Sequence, residues 1–144
     1  VIYHLRTMQK KVFITGATSG IGKATAELFA EHAFDLIICG RRKQRLEELQ
    51  QKLSLKVNIH SLCFDVSNRK ETEAAINSLP EGFQQIDILI NNAGNAHGLS
   101  PIDKGDVNDW DNMIDINVKG LLYVTRYIVP KMVNNNQGHI INIG

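Results

Sequence analysis

The sequence predicts a doubly wound parallel α/β fold, and three observations predict it. Short β-rich runs alternate with amphipathic helical stretches from residue 11 to the end of the chain. The runs carry consecutive apolar residues rather than the in–out alternation of a one-sided sheet, which suits parallel strands covered on both faces. The connections between them are short, and parallel strands need helical crossovers in order to pair.

The elements follow in order. Lys11 to Thr15 is a first strand that runs into glycines. After Gly22 the pattern turns helical, with Ala26, Phe29, Ala30 and Ala33 on one face and Leu28 on its flank. Asp35 to Gly40 reads as a second buried strand, and Leu46, Leu49 and Leu53 recur at helical spacing among charged and amide side chains, an amphipathic helix. Val57 to Phe64 is a third strand, Lys70 to Leu79 a third helix closed by Pro80 and Gly82, and Ile86 to Asn91 a fourth strand. One long helix is expected from about Val107 to Val133. Asp106 is its N-cap, with Asp109 three residues on, and Pro130 is placed to kink or shorten it. His139 to Ile143, after the polar turn Asn134 to Asn136, is a fifth strand. There is no internal repeat, low-complexity tract or interdomain linker.

Composition narrows the function classes. The 144 residues carry 16 Lys+Arg against 15 Asp+Glu, a formal charge of +1, which gives no support for a nucleic-acid or membrane partner. Cys39 and Cys63 lie in apolar runs and make no disulfide framework, so a reducing cytoplasm is expected. No apolar run approaches the roughly 18–20 residues of a membrane span. The chain begins at Val1, reaches its first methionine at Met8 and stops at Gly144 inside a strand-like run, so it reads as a piece of something longer.

Between the first strand and the first helix lies Thr15-Gly16-Ala17-Thr18-Ser19-Gly20-Ile21-Gly22. A strand feeding a helix through such a turn gathers free backbone N–H groups and the positive helix end at one point, an anion site suited to a pyrophosphate. Glycine is needed where the backbone turns tightly or approaches a ligand closely. An ordinary glycine-rich turn is the bland alternative, but the position after the first strand of a βαβ unit favours the phosphate reading. It is not a P-loop, because Gly22-Lys23-Ala24 lacks the hydroxyl that would hold magnesium.

The Gly-x-x-x-Gly-x-Gly spacing, with Asn91-Asn92-Ala93-Gly94 after the fourth strand, resembles the short-chain dehydrogenase/reductase family. Further matches are Asp65-Val66, Asn117, and the run Gly138 to Gly144. The resemblance implies a Rossmann-type sheet, truncated here after the fifth strand. Residues 1–10 are then an N-terminal extension, and 11–144 an NADP-binding domain incomplete at its C-terminus. It further implies that Gly16, Thr18, Ser19, Gly20, Ile21 and Gly22 hold the cofactor, that Asp65 and Val66 flank the adenine, and that Asn92, Ala93 and Gly94 run along its middle. A side-chain network bracing neighbouring strands is the plainer reading of Asn91-Asn92, and both can hold.

At the end of the second strand an acidic residue would favour NAD. The segment Cys39-Gly40-Arg41-Arg42-Lys43 has none there, and its paired guanidinium groups suit a 2′-phosphate, hence NADP. In a helix N-terminus those charges oppose the dipole, a local conflict that a binding site explains. By resemblance Asn117 is the catalytic asparagine. The serine, tyrosine and lysine that such enzymes use for proton transfer would follow the fifth strand, so residues 1–144 alone are expected to be inactive, and their apolar fifth strand prone to aggregate. The string Tyr127-Ile128-Val129-Pro130-Lys131 is a decoy on this reading. It precedes the fifth strand, and Pro130 is expected to disrupt the turn that would align its ends.

His4, His32, His60, His97 and His139 show no metal-ligand spacing. His97, in the loop after Gly94, is either an exposed loop residue or a substrate contact. The stretches Ser78 to Glu81, Ile86 to Gly94 and Trp110 to Gly120 look like the NADP-dependent 3-hydroxy acid dehydrogenases. That implies small substrates such as serine, allo-threonine or the matching semialdehyde, and a homo-oligomeric enzyme. A carbonyl or ketoacyl reductase, or a non-catalytic NADP-binding module, is the alternative.

Overall fold

A computed structural model describes residues 9–98 and 100–144. The extension expected over residues 1–10 lies, as far as residue 8, outside the described residues, as do His4 and Leu99. The elements are β1 (Lys11–Ile14), α1 (Gly20–Glu31), β2 (Asp35–Gly40), α2 (Lys43–Leu53), β3 (Ile59–Cys63), α3 (Arg69–Asn77), β4 (Ile88–Asn91), α4 (Val107–Ile114), α5 (Leu121–Asn134) and β5 (His139–Asn142). The strands form one parallel sheet in the order β3-β2-β1-β4-β5. The connection reverses direction between β1 and β4, and a crevice opens there at the carboxyl ends of the strands, where open α/β sheets bind ligands.

The consecutive apolar residues of each strand divide between two faces. Phe13, Ile37 and Leu89 meet Ile76 of α3 and Val124, Ile128 and Met132 of α5. Val12, Ile14, Leu36, Ile38 and Ile90 meet Ala26 and Ala30 of α1 and Leu46, Leu49 and Leu53 of α2. Register keeps these rows aligned, since Phe13 pairs with both Ile37 and Leu89. Each fully buried side chain of this size stabilises the fold by about 1.5–3 kcal/mol. Cys39 is buried, which pushes its thiol pKa up, and Cys63 is exposed.

Four expectations need correction. Ala33 is not on the apolar face of α1; it is exposed and follows the helix at φ +59°, so that face ends at Ala30. The third strand begins at Ile59, because the N–H of Val57 still bonds the carbonyl of Leu53 at the end of α2. The single long helix is instead α4, a π-helical segment at Asp115–Gly120, and α5. The wider turn fits an extra residue where the backbone presses on a neighbour: a Cβ on Gly120 would lie 2.8 Å from Val66 Cγ2. Asp106 caps α4 as expected, accepting from the N–H of Asn108 at 2.9 Å. Pro130 does not end α5, which continues to Asn134. The proline is exposed, and forgoing one backbone bond there costs less than unseating Ile128 and Met132 from the core.

Candidate functional site

A cleft of about 710 Å³ opens at the carboxyl ends of β1, β2 and β4. Gly16, Thr18, Ser19, Ile21, Arg41, Arg42, Asp65, Val66, Asn92, Ala93 and Gly94 all line it, so one cavity gathers residues from four separate stretches of chain. Gly20, Gly22 and Asn117 are not among its walls.

The glycines act in different ways. Gly16 turns at φ +65°, and a Cβ there would lie 2.9 Å from Ala93 Cα. Gly20 has φ +53° and open space around it, so only its backbone conformation calls for glycine. Gly22 is a packing glycine: a Cβ would overlap the carbonyl oxygen of Gly16 and Nδ2 of Asn92. That Asn92 amide braces the turn from the neighbouring strand, donating to the carbonyls of Thr15 at 3.1 Å and Gly16 at 3.2 Å. Thr15 Oγ1 returns the link by accepting the N–H groups of Asn92 at 2.9 Å and Ala93 at 2.8 Å. Asn91 ties β4 to β5 and α5, its Nδ2 donating to Asn142 Oδ1 at 2.9 Å and Thr125 Oγ1 at 3.0 Å. The bracing role is therefore visible for both asparagines.

Ser19 is the N-cap of α1, yet its hydroxyl makes no capping bond, and the first turn carries no acidic side chain. The positive helix end is left for an anion. Arg42 grips the hydroxyls instead, donating from Nη2 to Thr18 Oγ1 and Ser19 Oγ, each at 2.8 Å. Arg41 reaches the other wall, its Nη1 3.6 Å from Asp65 Oδ2. Asp65 also accepts from the N–H and hydroxyl of Ser67, at 2.9 and 2.7 Å, which fixes its carboxylate.

Asn117 sits in the π-helical segment, outside the cleft. Its Oδ1 accepts from the N–H of Asn95 at 2.9 Å and its Nδ2 donates to the Asn95 carbonyl at 2.8 Å. The side chain thus works as a clamp on the loop that follows β4. Met113 and Asp109 continue the ladder at four-residue spacing. Met113 Sδ accepts from the N–H of His97 at 3.4 Å, and Asp109 packs on Gly98 at φ +68°. The His97 side chain is exposed in this loop. Substituting Asn117 with alanine removes two bonds to one peptide. It is expected to speed amide exchange of Asn95 and His97 about tenfold, corresponding to about 1.4 kcal/mol, while α5 keeps its protection. Unchanged exchange in the loop would show that other contacts hold it.

Tyr127 and Lys131 take no part in the cleft. Tyr127 packs against the core and Lys131 donates from Nζ to Gln84 Oε1 at 2.6 Å. The reason is their position, since Pro130 leaves the helical turn between them intact. No group of three or more potential metal ligands clusters among the described residues.

Gly40, Phe64 and Ile116 also line the cleft and were not singled out from the sequence. Gly40 had a readable signal, a glycine at the end of a buried strand; a Cβ there would meet Thr18 Cγ2 at 3.0 Å. Phe64 and Ile116 immediately precede residues that were singled out, but only tertiary contact shows that they form walls.

Comparison with known proteins agrees with this geometry. A family model described as short chain dehydrogenase matches residues 10–144. The chain is 47% identical over 133 residues to an NADP-dependent 3-hydroxy acid dehydrogenase of Salmonella typhi, covering 92% of this chain and 53% of that protein. It is 43% identical over 138 residues to sulfoacetaldehyde reductase 2 of Chromohalobacter salexigens, covering 95% and 55% respectively. A crystal structure of serine dehydrogenase from Escherichia coli superposes with TM-score 0.86 at 46% identity, covering 93% of this chain and 61% of that one. The chain spans about half the length of the curated relatives it matches. With the braced glycine turn, the asparagine motif and the family match in agreement over all but the first residues, the chain belongs to the short-chain dehydrogenase family.

Proposed function

We propose that this chain forms the cofactor-binding part of an NADP-dependent oxidoreductase. The enzyme moves a hydride between the nicotinamide and a hydroxyl or carbonyl carbon of a 3-hydroxy acid such as serine or allo-threonine, or of the matching semialdehyde. The observation that carries this reading is the end of β2. Two arginines stand there with no carboxylate in the strand-end position, and one already holds the Thr18 and Ser19 hydroxyls. The residues fit the group. The free N-terminus of α1 suits a pyrophosphate, and the Gly16 approach to Ala93 leaves no Cβ in the way.

Bound NADP would supply or accept the hydride. The chain's own residues bind and orient. Arg41 and Arg42 take the ribose phosphate, the α1 N-terminus with Gly16 to Gly22 takes the pyrophosphate, and Asp65 and Val66 border the adenine. Asn92, Ala93 and Gly94 extend the wall toward the loop clamped by Asn117, which we assign as the positioning residue nearest the reaction centre. Support for the substrate class comes from the 3-hydroxy acid dehydrogenase and serine dehydrogenase likeness. The sulfoacetaldehyde reductase likeness favours a second reading, reduction of a small anionic aldehyde. Among the described residues no helix is long and apolar enough to cross a membrane, and two free cysteines support a cytoplasmic setting.

The test is a binding series on this chain and a turnover series on the full-length enzyme of which it forms the cofactor-binding part. NADPH is expected to bind saturably and more tightly than NADH, and NADP to be reduced with 3-hydroxy acids in preference to alcohols lacking a carboxylate. Saturable binding without turnover on any hydroxy acid, aldehyde or ketone would favour a non-catalytic binding module, and no saturable binding would overturn the cofactor assignment.

A further inference from the structure

The loop after β4 is held by its backbone and leaves one side chain free. Asn117 takes both the N–H and the carbonyl of Asn95, Met113 Sδ accepts from the N–H of His97, and Asp109 packs on Gly98. Three successive helical turns thus fix the loop without using the His97 imidazole. That imidazole is exposed and has no hydrogen-bond partner among the described residues. The loop keeps its course at a cost. Asn95 Oδ1 is buried without a partner, and Gly98 lies at φ +68°. Such costs are tolerated where a site needs one particular backbone path.

The surroundings are short of positive charge. From Asn91 to Ile102 His97 is the only titratable residue. No Lys or Arg occurs from Gly105 to Val118, a stretch that carries Asp106, Asp109, Asp111 and Asp115. Lys119, on the segment that holds Asn117, is paired with Asp115 at 2.7 Å. Lys104 is the one other basic residue between Asn91 and Val118, and it stands between Asp103 and Asp106 in the sequence.

We propose that His97 is a specificity-determining residue that binds the acid group of the substrate. The loop continues from Gly94, the last of the asparagine-motif residues that line the cleft, so the imidazole stands on the side where the substrate meets the cofactor. A carboxylate accepts from an imidazole N–H, and a protonated ring adds charge to that bond. The clamped backbone spares the ordering cost that a loose loop would incur on binding. A sulfonate would be held in the same way. This inference rests on the reading of a small hydroxy acid or anionic aldehyde as substrate and names the residue that selects it.

The test uses the full-length enzyme, with allo-threonine and its amino alcohol, in which CH2OH replaces the carboxylate, as substrates. Both carry the ammonium group, so their comparison isolates the acid. H97L is expected to raise KM for allo-threonine about tenfold, equivalent to about 1.4 kcal/mol, with kcat within about twofold. For the amino alcohol kcat/KM should stay within about twofold, and NADPH affinity should not change. H97K, which restores a cation on an exposed side chain, should bring KM for the acid back to within about threefold of wild type. K104A is the control and should leave both substrates unaffected. An unchanged KM for the acid in H97L, a loss shared equally by the amino alcohol, or an equal effect of K104A would each overturn the proposal. In all three cases the oxidoreductase reading stands, because the wild-type enzyme still turns over the acid. Saturable NADPH binding without turnover of either substrate by the wild-type enzyme would remove that reading and this proposal together.

Discussion

Replacing Arg41 and Arg42 together with alanine is expected to weaken NADPH binding about 100-fold while leaving NADH within about threefold. A hydrogen bond to a charged group contributes about 1.5–3 kcal/mol, and two guanidinium groups on one phosphate would exceed the expected loss if both counted in full. Arg41 does not. Its side chain is 62% exposed and must leave Asp65, so solvent screening and the lost ion pair reduce its share. Arg42 carries more, because Thr18 and Ser19 hold it ready before the ligand arrives. An R42K variant should recover only part of the loss, since an ammonium keeps the charge without the planar fork. Equilibrium titration with both cofactors decides the matter. Equal weakening of NADPH and NADH would mean that these arginines hold the turn in shape rather than read the phosphate.

The second large effect is expected at Gly22. A methyl group there overlaps the Gly16 carbonyl and the Asn92 amide, neither of which can retreat without breaking the brace between β1 and β4. Overpacking of this kind costs roughly 1–3 kcal/mol, and at a site made of backbone the upper end applies. G22A should therefore lower the denaturation midpoint by an amount worth about 3 kcal/mol and reduce dinucleotide binding more than tenfold. G20A is the informative control. Nothing surrounds Gly20, so its methyl meets only the strain of a positive φ, about 1–2 kcal/mol. Two glycines separated by one residue should then differ in kind. If both substitutions cost the same, the packing account of Gly22 is wrong.

Much of this was legible in the sequence because it depends on local pattern. Apolar runs such as Asp35 to Gly40 and the Leu46, Leu49, Leu53 spacing announce buried strands and an amphipathic helix without help from the rest of the chain. The glycine turn and the arginine pair are likewise short, and residue type alone limits what they can do. What stayed hidden was set by contacts between distant segments. The π-helical turn exists where Gly120 meets Val66, and no periodicity in residues 107–133 encodes that approach. Pro130 reads as a helix breaker on propensity, yet the burial of Val124, Ile128 and Met132 prevails over it. Asn117 was marked as a site residue by its resemblance; that its amide clamps the Asn95 peptide follows only from the fold.

The brace between Thr15 and Asn92 has a consequence for how the molecule assembles. These residues lie 77 positions apart, and β1 finds its second neighbour, β4, only across a similar interval. Contacts of such long sequence separation form late and slowly, because the chain entropy of the loop is lost before any bond is gained. During synthesis the first three strands can associate while β4 is still inside the ribosome, but the glycine turn between β1 and α1 lacks its far wall until Asn92 emerges. Affinity for the dinucleotide should accordingly arrive as one of the last events of folding, well after most of the sheet has formed around it.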